Sequence, residues 1–285
     1  MSLRILKDTP PWDWPEGTGK MLLGVLRDAR ASDAELLLAT ELAGDLTVID
    51  TELVDALVSI LRSGDRSEEV RGSAAIALGP ILEYADTEGF EEPDELPITE
   101  RTFHGIQESL RALYLDAAVP EAVRRRILEA SVRAPQDWHG STIRAAWSSD
   151  DEPWRLTAVF GMRFVRGFEE QILEALDDES PDVRYEAIVA AGNWEVDAAW
   201  PHVAALVTSE ETEKSLLLAA IDAVASIRPH QAAEILDDLA ACDDEDIVAA
   251  VHEALAMAEA LSSEDDEFDE FDEDDEDDED DGRFR

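Results

Sequence analysis

Cysteine and lysine are scarce in this chain of 285 residues, and long apolar runs are missing. A single cysteine, Cys242, excludes an internal disulfide and any zinc site with several cysteine ligands. The N-terminal residues lack the apolar core of a signal peptide, and no stretch reaches the ~18 apolar residues of a membrane helix. We therefore expect a soluble cytoplasmic protein that does not bind membranes.

Basic residues are few as well. The chain has 23 lysines and arginines against 69 acids, a formal net charge of -46, and only Lys7, Lys20 and Lys214 are lysines. Such a surface is typical of a protein in a salt-rich cytoplasm. It also repels nucleic-acid phosphates, so we expect no direct binding of nucleic acid and consider basic proteins or cations the easier partners.

The acidity is strongest near the C-terminus, where residues 264–281 read EDDEFDEFDEDDEDDEDD. These 18 positions hold 16 acids and two phenylalanines, Phe268 and Phe271. Because such strong self-repulsion prevents packing, residues 262–285 are predicted to form a disordered acidic tail. Residues 1–263 still hold 53 acids against 21 bases, about -32, so the body of the protein is acidic too.

Histidine gives no sign of a catalytic or metal site. No two of the histidines have the spacing of metal ligands, and no serine or cysteine has an evident base beside it in a known motif. GTGK at 17–20 lacks the strand, spacing and hydroxyl residue of a phosphate-binding loop. We expect no metal, no cofactor and no enzymatic activity. The histidines are His104, His139, His202, His230 and His252.

The stretch SPDVRYEAIVAAGNW at 180–194 has the features of a helix. Ser180 can cap its start, Pro181 fits the first turn, and Gly192 with Asn193 can end it. A second helix is predicted for about 197–208. One face of the first helix carries a stripe of mostly small apolar residues: Val183, Ala187, Ala190 and Ala191.

The opening phrase of this helix recurs along the chain. Successive copies lie 29 to 33 residues apart except for one gap of 53, which contains the acidic sequence DTEGFEEPDELPIT, predicted to be a surface loop at about 86–100. An earlier copy begins near 32. The later copies are EEVR at 68–71, EAVR at 121–124, EPWR at 152–155, PDVR at 181–184, TEKS at 212–215 and EDIV at 245–248.

A period of about 30 residues with two helices each is typical of an α-solenoid. The chain resembles the HEAT-repeat family, in particular short bacterial repeats like those of phycobilin lyases. The resemblance implies an all-α, right-handed superhelix of six to seven helix pairs over 18–261. Residues 1–17 form a lead-in whose PPWDWP motif is predicted to cap the first repeat.

In this family the repeated arginine commonly belongs to an internal ladder that pairs with acids of adjacent repeats. Asp177 and Asp178 are candidate partners for one rung. One relative with this architecture, deoxyhypusine hydroxylase, uses repeated His-Glu pairs to bind iron, but only His252-Glu253 matches such a pair here. The ladder positions in this sequence are Arg71, Arg124, Arg155 and Arg184.

The stretch 120–166 is a mildly basic island, with eight arginines and six acids. Arginine and tryptophan together can hold an acidic or aromatic peptide, and the acidic tail with its two phenylalanines is one such peptide. The alternative is that these arginines are structural and neutralised by neighbouring acids. The candidate protein-binding residues are Arg125, Arg126, Trp138, Arg144, Trp147, Trp154 and Arg163, with Phe268 and Phe271 of the tail.

Three functions fit these features. The first is a monomeric, non-catalytic scaffold or adaptor that binds another protein through its solenoid surface. The second is an acidic chaperone or nucleic-acid mimic whose tail shields a basic protein. The third is an enzyme of the phycobilin-lyase or hydroxylase type. A helical repeat predicts the fold but does not identify the partner.

Overall fold

The computed structural model of this protein describes residues 2–91 and 96–273, and only the backbone of 263–273. Helices dominate, and the described part of the chain contains no β-strand. It forms two compact units, Met1–Val165 and Arg166–Arg285. No helix in the described ranges is long and apolar enough to cross a membrane. The all-α fold predicted from the sequence is confirmed.

The first unit is a stack of helices in which α3, α5, α8 and α10 each pack against the next. Each of these four begins at one of the repeated phrases. On the other side of the stack, α4 packs against α2, α5 and α7. The helices are α1 (Leu3–Lys7), α2 (Thr18–Leu26), α3 (Asp33–Ala43), α4 (Thr51–Arg62), α5 (Glu68–Ile76), α6 (Gly79–Glu88), α7 (Glu100–Leu115), α8 (Glu121–Ser131), α9 (His139–Trp147) and α10 (Glu152–Met162).

The second unit repeats this arrangement with a row formed by α12, α14 and α16. The partner helix α13 packs against α14, and α15 packs against both α14 and α16. The helices are α11 (Glu169–Ala175), α12 (Pro181–Asn193), α13 (Trp200–Thr208), α14 (Lys214–Ile227), α15 (Pro229–Leu236) and α16 (Glu245–Glu273).

Helix ends follow from local side-chain chemistry. Ser32 and Glu35 form a reciprocal capping box at the start of α3, and Asp50 caps α4 by accepting from the Leu53 N–H at 2.8 Å. Ser180 is also an N-cap residue, but its side chain makes no capping bond. Its own N–H instead donates to Oδ1 of Asp178 at 2.9 Å, so the expected serine cap is wrong in detail.

The small apolar stripe of α12 is buried, as predicted, with its four residues fully inaccessible to solvent. The small side chains of this stripe permit α12 and α14 to approach each other closely. A Cβ added to Gly192 would lie 3.1 Å from the Cα of Ala223, so α12 and α14 touch almost backbone to backbone. Small side chains thus set the distance between successive repeats.

The long gap between the repeated phrases, with its predicted loop at about 86–100, differs in detail from the structure. Helix α6 covers the start of the predicted loop, and α7 is an additional helix within the long gap. The described part of the connection is anchored, because Phe90 packs on Phe103 and Ile98 is buried. Residues 92–95 lie outside the described residues.

Helix α16 continues to Glu273, into the segment predicted as a tail from 262. Extending an existing helix fixes one residue per added hydrogen bond, whereas starting a new helix fixes several for the first bond. The side chains of Phe268 and Phe271, and the whole of 274–285, lie outside the described residues.

Candidate functional site

A groove of about 1170 Å³ runs over α3, α5 and α8 in the first unit. We call it the α5 groove, because α5 forms its centre. The 3₁₀ turn Pro11–Asp13 contributes Pro11 and Trp12 to its lining. The lining residues are Pro11, Trp12, Leu37, Glu41, Gly44, Asp45, Leu46, Thr47, Glu68, Glu69, Gly72, Ser73, Ile76, Ala77, Pro80, Ala122, Arg125 and Arg126.

The α5 groove exposes an unusual share of the apolar surface. Seven large hydrophobic side chains are exposed in the described residues, and three of them line this groove. Trp12 is 79% exposed, Leu46 43% and Ile76 39%. Apolar side chains gathered in one exposed patch mark a binding surface, whereas isolated ones are normal.

Trp12 is held in place by its neighbour Trp14. The indole N–H of Trp14 donates to the carbonyls of Leu6 at 3.0 Å and Thr9 at 2.8 Å. Leu6 is fully buried, and α1 packs against α3. The lead-in therefore packs on the first repeat through Leu6, while Trp12 of the PPWDWP motif stays exposed and lines the groove.

Two glycines allow the helices that form the groove to approach one another closely. A Cβ on Gly72 would lie 3.1 Å from Cγ of Arg126, which brings α5 close to α8. A Cβ on Gly44 would lie only 2.7 Å from the carbonyl oxygen of Ala77. The C-terminal ends of α3 and α5 thus meet through backbone atoms.

The acidic side chains that line the α5 groove differ in how far other groups neutralise them. Glu41 pairs with Lys7 at 2.9 Å, and Asp45 accepts hydrogen bonds from the backbone and hydroxyl of Thr47. Glu68 and Glu69, in the first turn of α5, are exposed and form no side-chain ion pair within the described residues. The acids of the rim are therefore only partly neutralised.

The two arginines of the groove are already engaged by Glu129. Arg125 Nη1 lies 2.5 Å from its Oε1, and Arg126 Nη1 lies 2.5 Å from its Oε2. The hydroxyl of Thr157, on α10, donates to the same Oε1 at 2.5 Å. The Glu129 side chain is only 12% exposed. This buried carboxylate joins α8 to α10 and offsets one of the two positive charges at the basic end of the groove.

The structure does not gather the predicted basic island into one site. Arg125 and Arg126 reach the α5 groove, but the tryptophans do not line it. Trp138 packs on Tyr114 with ring centroids 5.1 Å apart, and its indole N–H donates to Gln136. Trp154 instead donates to Glu121 Oε1 at 2.8 Å. These indoles link helices to one another.

The remaining candidate residues of the island do not line the α5 groove. Arg144 is exposed on α9 and donates to the Gly140 carbonyl at 3.1 Å, while Trp147 is half-buried at the end of the same helix. Arg163 lies over the rings of Phe160 and Phe164, at 5.3 Å and 5.7 Å from their centroids.

A comparison with known families identifies the second unit. A family model described as HEAT repeats matches residues 169–256. This segment is similar to HEAT repeats. None of the curated proteins compared with the chain matches it.

Several solved structures are similar to the chain at low identity. Human deoxyhypusine hydroxylase in complex with glycerol is 18% identical, covers 88% of this chain and 87% of its own, and gives a TM-score of 0.40. The Escherichia coli protein YibA is 15% identical, with 89% and 85% covered and a TM-score of 0.45. An engineered protein is 18% identical, with 73% and 96% covered and a TM-score of 0.43.

In the HEAT repeats, the recurring arginine donates to main-chain carbonyls. Arg184 Nη1 donates to the carbonyls of Asp178 at 2.8 Å and Glu179 at 3.1 Å. In the first unit, Arg71 is buried and its Nε donates to the Leu61 carbonyl, at the end of α4, at 2.9 Å. Each bond ties a first helix to the segment before it. In these two rungs the arginine donates to backbone carbonyls, whereas the family resemblance implied acidic side chains as its partners.

The other two ladder positions are less regular. Arg155 Nη1 lies 3.5 Å from the Asp150 carbonyl. The Nε of Arg124 is buried without a hydrogen-bond partner in the described residues. Burial raises the pKa of the neighbouring Tyr114, and the positive charge of Arg124 opposes that rise. These arginines serve the helix stack in different ways.

Among the described residues, no three His, Cys, Asp or Glu side chains form a group that could hold a metal ion. The most buried histidine, His139, has a structural role. Its Nδ1 accepts from the Gln136 N–H at 2.9 Å, and its Nε2 lies 3.0 Å from the Ser131 hydroxyl. His252 and Glu253 are exposed on α16.

Burial lowers the pKa of His139 from 6.5 to about 4. Between these values the unfolded chain takes up a proton that the folded protein does not, so stability is full above pH 6.5 and declines as the pH falls towards 4. We expect wild type to lose about 1–2 kcal/mol more than His139→Gln between pH 7 and pH 5, as measured by urea unfolding. Equal losses in the two proteins would contradict this assignment.

Proposed function

We propose that this protein is a non-catalytic repeat scaffold that binds another protein through the α5 groove. The observation that carries the proposal is the clustering of Trp12, Leu46 and Ile76 in that groove. Helical repeats present extended surfaces whose exposed side chains are not needed for stacking. Large apolar and aromatic anchors are the residues that dominate the affinity of protein interfaces.

The proposal is tested with Ile76→Asp in the full chain. Ile76 is exposed, so aspartate there leaves the core intact but places a charge in the middle of an apolar contact. We expect capture of the native partner from a lysate of the source organism to fall at least about tenfold, read by quantitative mass spectrometry.

Ile5→Asp is the matched control, because Ile5 is 51% exposed and lies outside the groove. It should leave capture unchanged. If both aspartate variants capture the partner as well as wild type does, the α5 groove is not the binding surface.

The acidic tail supplies the competing function, a chaperone for basic proteins. Residues 264–281 hold 16 acids, which favours binding that weakens steeply as salt rises. Truncation after Leu261 separates the two. Capture that survives truncation and a high-salt wash belongs to the groove, whereas capture that vanishes in both belongs to the tail.

A further inference from the structure

The charge on the rim of the α5 groove indicates what kind of segment fits it. Glu68 and Glu69, in the first turn of α5, line the groove together with Ile76 of the same helix, and Asp45 lines it with its sequence neighbour Leu46. Arg125 and Arg126 attract acids less than free arginines would, because Glu129 holds both guanidinium groups and offsets one of their two positive charges. The groove thus combines three exposed apolar side chains with four acidic and two basic ones.

We infer that the occupant of the α5 groove is a basic amphipathic helix of the partner protein. This inference rests on the proposed function and names its ligand class. Apolar side chains on one face of the helix would pack on Trp12, Leu46 and Ile76. Lysines or arginines flanking that face would pair with Asp45, Glu68 and Glu69.

Backbone chemistry favours a helix over an extended segment. Most of the residues that line the groove belong to helices, whose N–H and C=O groups are paired within each helix, so they offer no open strand edge. An extended peptide would bury backbone groups without partners there. A helix satisfies these groups internally and needs only side-chain contacts.

The same charges count against the chain's own tail as the occupant. Its 16 acids would approach Glu68 and Glu69, and like charges in an interface oppose binding. The arginines that the sequence suggested as its receptor are held by Glu129. A basic helix does not meet the repulsion from Glu68 and Glu69.

The test uses three labelled peptides of about 18 residues, enough for five helical turns, with the full chain as receptor. The first has leucines at helical spacing and lysines elsewhere. The second is a scrambled version without an apolar face. The third replaces every lysine by glutamate. We expect fluorescence anisotropy to show binding of the first peptide, at least about tenfold weaker binding of the second, and none of the third.

Charge reversal in the groove gives the decisive comparison. The double variant Glu68→Lys/Glu69→Lys should weaken binding of the leucine–lysine peptide at least about tenfold. The matched control is Glu169→Lys/Glu170→Lys, since those two acids are also exposed in the first turn of a helix but lie outside the groove. It changes the net charge equally and should alter binding less than about twofold.

Specific results would overturn the inference. Equal weakening by the two double variants would mean non-specific attraction to an acidic protein. Tighter binding of the glutamate peptide would mean an acidic occupant. If the lysine reversal disturbs the circular dichroism spectrum, Glu68→Gln/Glu69→Gln removes the same charges and should weaken binding at least about threefold; no change would refute the inference.

The outcome also separates this inference from the proposed function. If Ile76→Asp abolishes partner capture while both glutamate variants leave it intact, the groove binds a partner that is not basic, so the scaffold stands and the inference falls. If Ile76→Asp has no effect either, both fall.

Discussion

Glu129→Ala is expected to lower the free energy of unfolding by about 3 kcal/mol, the largest effect among the single substitutions considered. The variant removes one carboxylate that two guanidinium groups and a hydroxyl share. The Arg125 side chain is only 18% exposed, so it would remain largely desolvated without its counter-charge. Leaving a buried charge unpaired costs more than the pair itself contributes.

Urea unfolding of the full chain, followed by circular dichroism, measures this effect. Glu83→Ala is the control, because Glu83 also pairs with an arginine, Arg133, but is 44% exposed. Exposed pairs are worth about 0–1 kcal/mol, so this variant should unfold almost like wild type. Similar losses in both variants would show that the Glu129 network behaves as an ordinary surface ion pair.

Gly44→Ala should lower the free energy of unfolding by about 2 kcal/mol. Gly44 has φ -79°, which alanine adopts readily, so backbone conformation gives no reason for glycine. The reason is contact: the new Cβ would lie 2.7 Å from the carbonyl oxygen and 2.8 Å from the Cα of Ala77. Since both are backbone atoms, α3 and α5 must move apart.

Gly24→Ala provides the matched control for this substitution. Gly24 lies in α2, and its added Cβ would meet nothing within 4 Å. Alanine is favoured over glycine inside a helix by about 0.5–1 kcal/mol, so this variant should be slightly more stable than wild type. Because Gly44 and Ala77 both line the α5 groove, Gly44→Ala should also weaken peptide binding. If the Gly44→Ala variant melts at or above the melting temperature of wild type, the close contact between Gly44 and Ala77 is contradicted.

The repeats could be predicted from the sequence because their signal is local and recurs. Each phrase joins a helix start to an apolar stripe, and α5, α8, α10 and α12 begin where those phrases begin. The stripe of α12 is buried as its periodicity required. Local chemistry of this kind does not depend on where distant residues lie.

The groove could not be predicted in this way, since it combines residues from three helices and the lead-in. Ile76 offered one signal of an exposed apolar residue, because it does not lie on the helix face that carries the buried residues Val70 and Ala74. Trp12 was assigned to capping, a role that the structure gives to the neighbouring Trp14 and Leu6. Of the arginine island, Arg125 and Arg126 line the α5 groove, and whether the other candidate residues bind a protein stays a prediction.

The arginine rungs have a consequence for how such a chain can grow or shrink in evolution. Arg71 and Arg184 donate to main-chain carbonyls, which every residue type supplies. A duplicated repeat therefore carries its own arginine and finds an acceptor in whatever sequence precedes it, with no matching acid to be inherited. Arrays joined in this way can change their number of repeats without compensating substitutions at the junction, while the exposed groove residues diverge to suit a new partner.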